Sequence, residues 1–356
     1  MNQKNLFLIV MAGGSGTRFW PKSTSRKPKQ LLSFSDHAAP TALPQTLLTQ
    51  TLNRFSNLVP PEQNWIVTTR LLDGAVRADS PKAVVLAEPQ GRNTAPCIYW
   101  AAQEVLKKNP EGVMLVMPSD HFIKNTTAFQ NTVKAAVEWA LTHDDLVTLG
   151  ILPTRPETGY GYLKVGAEVS KNSGCHTVEA FVEKPSAEKA ADFVRNGYLW
   201  NGGMFIWRAS VIIDAFDRLM PEMSKAWKSA QGNIELAYPN MTATSIDYGI
   251  MEKSKNVVAF QLDCGWDDLG NWTSLDTMAG VLGTQTDAGV VLGGEVISVD
   301  SQHNVIDVSG KLVALLGIED LIIVETEQAL LIARKDRAQD IRKIVDQVKI
   351  KRPELA

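Results

Sequence analysis

Cysteine is scarce in this sequence, which has only Cys97, Cys175 and Cys264 among its 356 residues. The three lie far apart, their number is odd, and none belongs to a Cys-x-x-Cys pair. These features exclude a disulfide framework and a cysteine-based zinc site. We therefore expect a protein of a reducing compartment, the cytoplasm.

A surplus of charge of one sign is also absent. The chain carries 36 Lys and Arg residues against 39 Asp and Glu residues, so its net charge is only -3. Such a balance creates no global field that would attract nucleic acid or an anionic membrane surface. Any binding of phosphate must therefore depend on a local cluster of cationic side chains.

Long apolar runs are missing as well. The apolar stretch near the start, residues 6–13, is eight residues long even when its glycine is counted, whereas a helix needs ~20 to span a bilayer. No small-residue cleavage site follows it, so we expect no signal peptide. With 44% hydrophobic and 21% charged residues, the composition is that of an ordinary globular protein.

The length favours two domains, because 356 residues are too many for one small core. A polar, glycine-rich stretch over residues 282–289 (LGTQTDAG) marks the expected boundary. The sequence therefore predicts a large domain over residues 1–284 and a small domain over residues 285–356.

Strand and helix patterns alternate over the first ~150 residues. The predicted strands are 6–11, 64–69, 83–87, 113–117 and 146–149, and the predicted helices are 47–55, 94–108 and 128–142. Continuous apolar runs such as LFLIVM are typical of strands covered on both faces. This order predicts a three-layer α/β sandwich with a mainly parallel sheet.

The rest of the chain is less regular. It predicts strands at 178–182 and 204–207, helices at 186–197 and 211–219, and short β-strands over 290–332 that are compatible with the coils of a β-solenoid. A final helix begins at about Asp336, with one apolar stripe formed by Ile341, Ile344, Val345 and Val348. The small domain is therefore expected to be β-rich and to end in a helix.

A glycine-rich loop follows the first strand, in the segment VMAGGSGTRFWPKSTSRKPKQLL over residues 10–32. Glycines there let backbone N–H groups approach a polyphosphate closely. The segment lacks both G-x-x-x-x-G-K-[ST] and G-x-G-x-x-G, which disfavours an NTPase loop and a dinucleotide fold. It has no acidic residue between residues 18 and 29 but five cations, Arg18, Lys22, Arg26, Lys27 and Lys29. Such a loop suits a triphosphate that loses pyrophosphate, although a glycine turn beside a solvated basic loop would look similar.

Three further segments combine polar side chains with strand ends. EPQGRNTAP (88–96) opens a helix where a purine edge could be read, but Thr94 could equally be a plain N-cap. In MPSDHF (117–122), Asp120 follows a buried strand and could hold Mg²⁺, or could be a turn residue. FVEKP (181–185) offers a carboxylate and a cation, as a sugar phosphate requires, or a simple exposed salt bridge.

GGSGTRFWP followed by KPKQLL resembles the signature of sugar-phosphate nucleotidyltransferases, and specifically of mannose-1-phosphate guanylyltransferases. The later segments EPQGRNTAP, MPSDHF, TGYGY, FVEKP, NGGMF, SIDYG and GWDDLGNW are similar to that family's segments and follow in the same order. The resemblance implies a three-layer Rossmann-like nucleotidyltransferase sandwich with a small, left-handed β-helix-like C-terminal domain, and a homodimer.

The resemblance also implies roles for particular residues. Catalytic residues would be Arg18, Lys29 and Lys184. Nucleotide-binding residues would be Ala12, Gly13, Gly14, Ser15, Gly16, Thr17, Glu88, Arg92, Asn93 and Thr94. Sugar-phosphate-binding residues would be Gly161, Glu183, Lys184, Asn201 and, with less support, Asp247 and Tyr248. The metal ligands would be Asp120 and, in the W-x-D-x-G pattern, Asp268 ahead of its neighbour Asp267.

The implied activity is transfer of GMP from GTP to α-D-mannose 1-phosphate, which gives GDP-mannose and pyrophosphate. It would proceed by Mg²⁺-assisted in-line attack without a covalent intermediate. One alternative is a nucleotidyltransferase for another sugar 1-phosphate or another nucleoside triphosphate. A catalytically inactive nucleotide-sugar sensor would be expected to lack a metal carboxylate or a signature cation, and an NAD-dependent oxidoreductase would need the missing G-x-G-x-x-G.

Overall fold

The computed structural model of the chain describes residues 3–14, 16–34, 45–171, 173–282 and 284–356. Up to residue 151 its strands and helices are β1 Leu6–Met11, α1 Leu47–Asn53, β2 Asn64–Thr69, α2 Asp73–Asp79, β3 Val84–Glu88, α3 Thr94–Lys108, β4 Val113–Pro118, β5 Phe122–Ile123, α4 Thr126–Thr142 and β6 Leu146–Ile151. Short 3₁₀ turns precede β1 and β2, and two more lie after β1 at Thr17–Phe19 and Lys29–Leu31.

After residue 160 the strands and helices are β7 Gly161–Glu168, β8 Cys175–Glu183, α5 Ala187–Arg195, β9 Leu199–Arg208, α6 Ala209–Leu219, α7 Pro221–Ser229, α8 Ile234–Ala237, β10 Val257–Leu262, β11 Trp266–Asp267, α9 Leu275–Leu282, β12 Gln285–Thr286, β13 Gly289–Val299, β14 Asn304–Leu316, β15 Leu321–Glu325, β16 Leu330–Arg334 and α10 Ile341–Lys351. A single π-helical turn covers Asp247–Met251.

The chain divides into two compact units. The first, here called the sheet unit, comprises residues 1–13, 52–118 and 125–266. The second, called the loop-and-tail unit, comprises residues 14–51, 119–124 and 267–356. The glycine-rich loop after β1 therefore belongs to the same unit as the C-terminal strands and helix. The boundary at residues 284 and 285 stays a prediction.

A nine-stranded sheet forms the centre of the sheet unit, in the order β3-β2-β1-β4-β9-β6-β10-β8-β7. Strands β1 and β4 run parallel, with Leu8 opposite Leu115, and both are buried on each face. Helix α3 covers one face through fully buried residues such as Ile98 and Ala102, which share a core with Phe7 and Ile9 of β1. Continuous apolar runs thus form central strands because both faces are covered.

The mainly parallel sheet predicted for the first ~150 residues is confirmed, because the pairs β3–β2, β2–β1 and β1–β4 are all parallel. The later strands make the sheet mixed, since β9 runs antiparallel between β4 and β6 and the β7–β8–β10 edge is antiparallel. An apolar run buried on both faces does not encode strand direction, so sequence pattern left the direction of β9 open. The described bounds agree with the predicted helices and strands to within a few residues for most elements. The elements that were not predicted are the strands β5, β7, β10, β11 and β12 and the helices α2, α7, α8 and α9.

The loop-and-tail unit contains a five-stranded sheet in the order β12-β13-β14-β15-β16. Successive strands β13, β14 and β15 pair in parallel, which is the pattern of stacked β-helix coils. Its main core joins the glycine-rich loop to the tail, since Phe19 and Trp20 pack in one apolar cluster with Trp272, Ile341 and Val345. This cluster fixes the loop against helix α10.

The apolar stripe predicted for the last helix is confirmed in part. Ile341 and Val345 are each 2% exposed, and Val348 packs at the edge of the same core. Ile344 is 48% exposed, so its assignment to the buried stripe is wrong. In the part of the chain that the structure describes, no helix combines the length and the apolar composition that crossing a bilayer requires.

Candidate active site

The described part of the glycine-rich loop, residues 14 and 16–34, folds back on itself and brings Lys29 against Gly16. Gly16 adopts a left-handed conformation (φ 56°), and its carbonyl accepts a hydrogen bond of 2.7 Å from Ser23 Oγ. Gln30 Nε2 donates to the carbonyl of Gly14 at 3.1 Å. These hydrogen bonds join the start of the loop to its later residues. Ser15, which was predicted to bind nucleotide, lies outside the described residues.

Lys29 joins three of the segments that the sequence singled out. Its side chain is only 7% exposed, and its Nζ lies 2.8 Å from Asp120 Oδ2 and donates to the backbone carbonyl of Asp268 at 2.5 Å. The structure therefore brings the predicted cation and the predicted metal ligands together. Burial raises the pKa of Asp120, but the charge of Lys29 and then that of His121 more than offset it, so the pKa lies below its ordinary value.

Arg18 and Gly270 complete this arrangement. Arg18 Nη1 donates to the carbonyl of Gly270 at 3.4 Å. Gly270 lies so close to Asp268 that a Cβ built on it would be 3.2 and 3.3 Å from the two carboxylate oxygens. The neighbouring Asp267 is 2% exposed and its Oδ1 accepts a bond from the Leu269 N–H at 2.7 Å. The carboxylate of Asp267 therefore stabilises the turn in which it lies, and this favours Asp268 as the metal ligand.

These side chains line a cavity of about 410 Å³ within the loop-and-tail unit. Its described lining consists of Gly16, Thr17, Arg18, Phe19, Lys29, Asp120, His121, Asp268, Gly270 and Arg342. Arg342, from helix α10, was not predicted. The sequence predicted α10 from its apolar stripe. Arg342 is one of several cationic residues between the apolar positions, and its residue type alone does not distinguish it from the others.

A second cluster lies in the sheet unit, around Gly13 and Glu88. A Cβ built on Gly13 would lie 3.3 Å from Glu88 Oε2, so the strand end and the carboxylate are in close approach. Glu88 is 4% exposed and its Oε1 accepts a hydrogen bond from the hydroxyl of Tyr238. Burial raises the pKa of Glu88 to about 7, although the Tyr238 bond acts to lower it. Ala12 is fixed by its N–H bond to the Val67 carbonyl at 2.8 Å.

Tyr238 is a candidate site residue that the sequence did not reveal. It lies in a 3₁₀ turn after α8, outside every motif, and its side chain is fully buried. A tyrosine in such a position gives the same signal as any core aromatic residue, so only its bond to Glu88 identifies it.

Arg92 and Thr94 hold the start of α3 against a neighbouring segment of the sheet unit. Arg92 Nη1 donates to the Met241 carbonyl at 2.7 Å, and Thr94 Oγ1 accepts from the Ile246 N–H at 2.9 Å. The N-cap of α3 is Asn93, so the alternative in which Thr94 caps the helix is wrong. Nucleotide contacts by these three residues stay a prediction.

The residues predicted for the sugar phosphate form a third cluster, also in the sheet unit. Gly161 pairs with Glu183 across strands β7 and β8, and a Cβ built on Gly161 would be 2.4 Å from Glu183 Oε2 and 3.3 Å from Asn201 Cβ. Asn201 Nδ2 donates to Asp247 Oδ1 at 2.9 Å, and Lys184 Nζ lies 2.9 Å from Glu183 Oε1. These five predicted residues are thus neighbours.

Asp247 carries a perturbed carboxyl group in this cluster. Burial first, and then the nearby charge of Glu183, raise the pKa of Asp247 to about 6, while the bond from Asn201 acts in the opposite direction. Two carboxyl groups close to each other disfavour each other's ionisation. The cluster therefore offers carboxyl and amide acceptors for the hydroxyl groups of a polyol, beside the ammonium group of Lys184.

Comparison with known proteins agrees with this geometry. The family model described as Nucleotidyl transferase matches residues 8–282, and the model described as MannoseP isomerase/GMP-like beta-helix domain matches residues 294–348. The chain belongs to the nucleotidyltransferase family. Within this nucleotidyltransferase, the first match ends near the predicted domain boundary and the second covers most of the β-rich tail.

Relatives of this nucleotidyltransferase narrow the family further. The chain is 36% identical to the xanthan biosynthesis protein XanB of Xanthomonas campestris pv. campestris (strain B100), over 96% of this chain and 73% of XanB. It is 33% identical to the mannose-1-phosphate guanylyltransferase of Escherichia coli, over 96% of this chain and 75% of that protein. A solved structure from Thermus thermophilus, named mannose-1-phosphate geranyltransferase, superimposes with a TM-score of 0.87 at 34% identity and covers 97% of this chain and 99% of that chain.

The predicted membership of the mannose-1-phosphate guanylyltransferases is therefore confirmed, as is the α/β nucleotidyltransferase fold with a β-helix-like tail. The nucleotidyltransferase also places non-glycine residues in left-handed backbone conformations at its candidate site: Asn93 (φ 66°), Lys184 (φ 47°) and Leu269 (φ 47°). Such conformations cost energy in L-residues and persist where the surroundings impose them, often in functional loops. Each of the three adjoins or belongs to a predicted site segment.

Proposed function

We propose that this chain transfers GMP from GTP to the phosphate of α-D-mannose 1-phosphate and releases pyrophosphate. The observation that carries the proposal is the position of the buried Lys29 ammonium between the Asp120 carboxylate and the Asp268 backbone, in a cavity that Arg18 also lines. The names of its relatives supply the base and the sugar.

The cavity of the loop-and-tail unit suits the triphosphate. Arg18 and Lys29 supply fixed positive charge, and the backbone at Gly16 and Thr17 can approach phosphate oxygens closely. Charges held in place before the reaction stabilise the developing charge of the leaving group at little reorganisation cost. Lys29 is held by its two oxygen contacts and is thereby preorganised.

The same cavity fits a divalent cation, and we propose Mg²⁺. Asp120 and Asp268 both line it, and the lowered pKa of Asp120 keeps that carboxylate ionised at neutral pH. Mg²⁺ commonly binds through one or two carboxylates, with phosphate oxygens and waters as its remaining ligands. Asp120 and Asp268 would hold the ion, which when bound would neutralise part of the charge of the triphosphate.

The acceptor would be held by the third cluster. Lys184 would position the phosphate of the sugar, and Gly161, Glu183, Asn201 and Asp247 would hold its hydroxyl groups. An oxygen of this phosphate attacks the α-phosphorus of GTP, a new P–O bond forms, and the bond to the β-phosphate oxygen breaks with pyrophosphate as the leaving group. The attacking phosphate is already anionic at neutral pH, so neither a general base nor a covalent intermediate is required.

The guanine base would be recognised by the second cluster. Glu88 is fixed by Tyr238 beside Gly13, and Arg92, Asn93 and Thr94 follow it in the same loop. A buried acceptor that is held in place discriminates strongly against a base that lacks the matching donors. We therefore expect the triphosphate to be selected more strictly than the sugar.

The experiment is a pyrophosphate-release assay with the purified chain, GTP and mannose 1-phosphate, with and without Mg²⁺. A panel with ATP, UTP and dTTP, and with glucose 1-phosphate and a heptose 1-phosphate, tests the alternative of another nucleotidyltransferase activity. Preference for a different pair would replace the proposed substrates. Binding of GDP-mannose without turnover of any pair would favour the inactive sensor.

We also propose a homodimer that forms through the tail. Strands β13 and β14 present Ile297, Val299, Leu312 and Leu316 on one face, and these side chains are 53%, 52%, 54% and 74% exposed. Residues two apart on paired strands share a face, so the four form one apolar patch. Sedimentation equilibrium should give a dimer for the wild type and a monomer for Leu316→Glu.

We also propose that the protein is located in the cytoplasm. Cys97, Cys175 and Cys264 are all free and buried, as is usual for proteins of a reducing compartment. Fractionation of cells that produce the protein, with a cytoplasmic marker enzyme as the control, tests this location.

A further inference from the structure

Of the described residues of helix α10, only Arg342 lines the 410 Å³ cavity that also contains Arg18, Lys29, Asp120 and Asp268. The glycine-rich loop ends at residue 34, and α10 begins about three hundred residues further along the chain. The tertiary fold thus adds a third guanidinium or ammonium group to a cavity that already contains two.

The position of Arg342 is fixed by its neighbours in the helix. Ile341, the preceding residue, is 2% exposed and packs in the same apolar cluster as Phe19 and Trp20 of the glycine-rich loop. The segment after α10 is tied to the loop as well, since Trp20 Nε1 donates to the Leu355 carbonyl at 2.9 Å and the Ser25 N–H donates to the Ala356 carbonyl at 3.0 Å. The backbone of α10 and the loop therefore form one framework.

Arg342 differs from the nearby cations Arg337 and Lys343, which both form ion pairs with a carboxylate. Lys343 and Arg337 share the carboxylate of Asp340, at 2.7 and 2.6 Å. Arg342 makes no hydrogen bond or ion pair with any other residue in the described ranges, and its side chain faces a cavity with two further cations. A guanidinium placed in this way is available for an anionic ligand, and its planar fork matches phosphate oxygens.

We propose that Arg342 is a further phosphate-binding residue, which binds the pyrophosphate half of the triphosphate and stabilises pyrophosphate as it leaves. This inference rests on the proposed function. The lining of the cavity assigns the contact to that half, because it includes the loop and both aspartates but none of Glu88, Glu183, Lys184 or Asn201, the candidates for base and sugar. The C-terminal segment would then contribute directly to the chemistry.

The test compares Arg342→Ala, Arg342→Lys and the matched control Lys343→Ala in both directions of the reaction. For Arg342→Ala we expect KM for pyrophosphate, measured with GDP-mannose as co-substrate, to rise about 10- to 100-fold, the range for loss of one charge-assisted hydrogen bond. KM for GDP-mannose and for mannose 1-phosphate should stay within about twofold of wild type, since their contacts lie elsewhere. Arg342→Lys should recover part of the loss and Lys343→Ala should match wild type.

Direct binding distinguishes a failure of this role from a failure of the proposed function. Calorimetric titration with Mg²⁺ and inorganic pyrophosphate should show weaker binding to Arg342→Ala than to wild type, whether or not the chain turns over GTP and mannose 1-phosphate. Unchanged pyrophosphate affinity and unchanged KM for pyrophosphate would overturn the role of Arg342. Equal losses for pyrophosphate and GDP-mannose, with a lowered melting temperature, would also overturn it and indicate a structural role.

Discussion

Gly16 lies directly against Lys29: a Cβ built on Gly16 would approach the Cβ of Lys29 to 2.3 Å and its backbone nitrogen to 2.7 Å. Real atoms cannot come so close, and the backbone of Lys29 cannot yield as the end of a flexible side chain could. The glycine is therefore required by the turn that brings the lysine to the cavity, besides any contact with phosphate.

Gly16→Ala should consequently lower both stability and turnover. The left-handed φ of 56° adds strain to the steric overlap, so we expect a loss of roughly 1–3 kcal/mol in the free energy of unfolding and at least a tenfold loss in kcat. Urea denaturation and pyrophosphate release measure the two effects. Gly74→Ala, in helix α2 with open space around it, is the control and should be neutral or slightly stabilising.

Lys29→Ala and Asp120→Ala should each slow GMP transfer by roughly 10²–10³, the scale for losing one preorganised charge-stabilising group. Because Lys29 Nζ and Asp120 Oδ2 are 2.8 Å apart, the double variant should lose less than the product of the single losses. Steady-state kcat/KM for all three variants provides the measurement. Lys124→Ala, an exposed lysine of the same unit, should match wild type. Near-normal turnover of both single variants would end the assignment.

Gly161→Ala should weaken binding of the sugar phosphate selectively. The added methyl group would lie 2.4 Å from Glu183 Oε2 and must displace that carboxylate, so we expect KM for mannose 1-phosphate to rise about tenfold while KM for GTP changes little. Gly159→Ala is the matched control, because its Cβ would meet only Glu157 Oε1 at an ordinary 3.4 Å. Equal behaviour of the two variants would contradict the proposed sugar pocket.

Gly270→Ala should increase the Mg²⁺ requirement. Its Cβ would lie 3.2 and 3.3 Å from the two oxygens of Asp268, and a shift of a few tenths of an ångström in a metal ligand weakens binding. We expect the Mg²⁺ concentration for half-maximal rate to rise roughly tenfold, as is common when the support of a ligand is disturbed. Gly280→Ala, whose Cβ meets nothing within 4 Å, should leave this concentration unchanged. An unaltered Mg²⁺ dependence of Gly270→Ala would argue against Asp268 as a ligand.

Glu88 should make the free energy of unfolding depend on pH. Its pKa is raised from 4.5 to about 7 in the folded protein, so the native state holds this proton more tightly than the unfolded chain does. The resulting stability is present below pH 4.5 and is lost as the pH rises through about 7. Since one pKa unit corresponds to ~1.4 kcal/mol, the contribution falls by roughly 2–3 kcal/mol between pH 5 and 8.

Glu88→Gln removes this contribution. The free energy of unfolding of the variant, relative to that of the wild type, should therefore increase as the pH rises. Chemical denaturation at pH 5, 6, 7 and 8 measures the difference between the two proteins. Glu138→Gln, an exposed glutamate on α4, is the control and should follow the wild type. A constant difference between Glu88→Gln and wild type across this range would show that Glu88 does not titrate there.

The sequence by itself determined those strands and helices whose pattern lies within a few neighbouring residues. The run LFLIVM gives β1 with the predicted bounds, because six apolar residues before a glycine-rich turn are too few for a buried helix. Thr94–Lys108 gives α3 through its helical apolar periodicity. The glycines and cations of the loop after β1 similarly indicate a phosphate site, since close backbone approach and positive charge both follow from residue type. The resemblance implied that Lys29, Asp120 and Asp268 serve one site, and the structure brings the three together.

Only the tertiary structure decided the direction of the strands and which residues from distant parts of the chain reach the candidate site. The MFIW part of β9 is as apolar as a parallel strand, yet β9 runs antiparallel, because direction depends on how the chain returns to the sheet and not on residue type. Tyr238 and Arg342 resemble a core tyrosine and a surface arginine in sequence, and acquire their surroundings only when the chain folds. Side-chain chemistry is local, whereas the neighbours that tune it are set by contacts between residues distant in sequence.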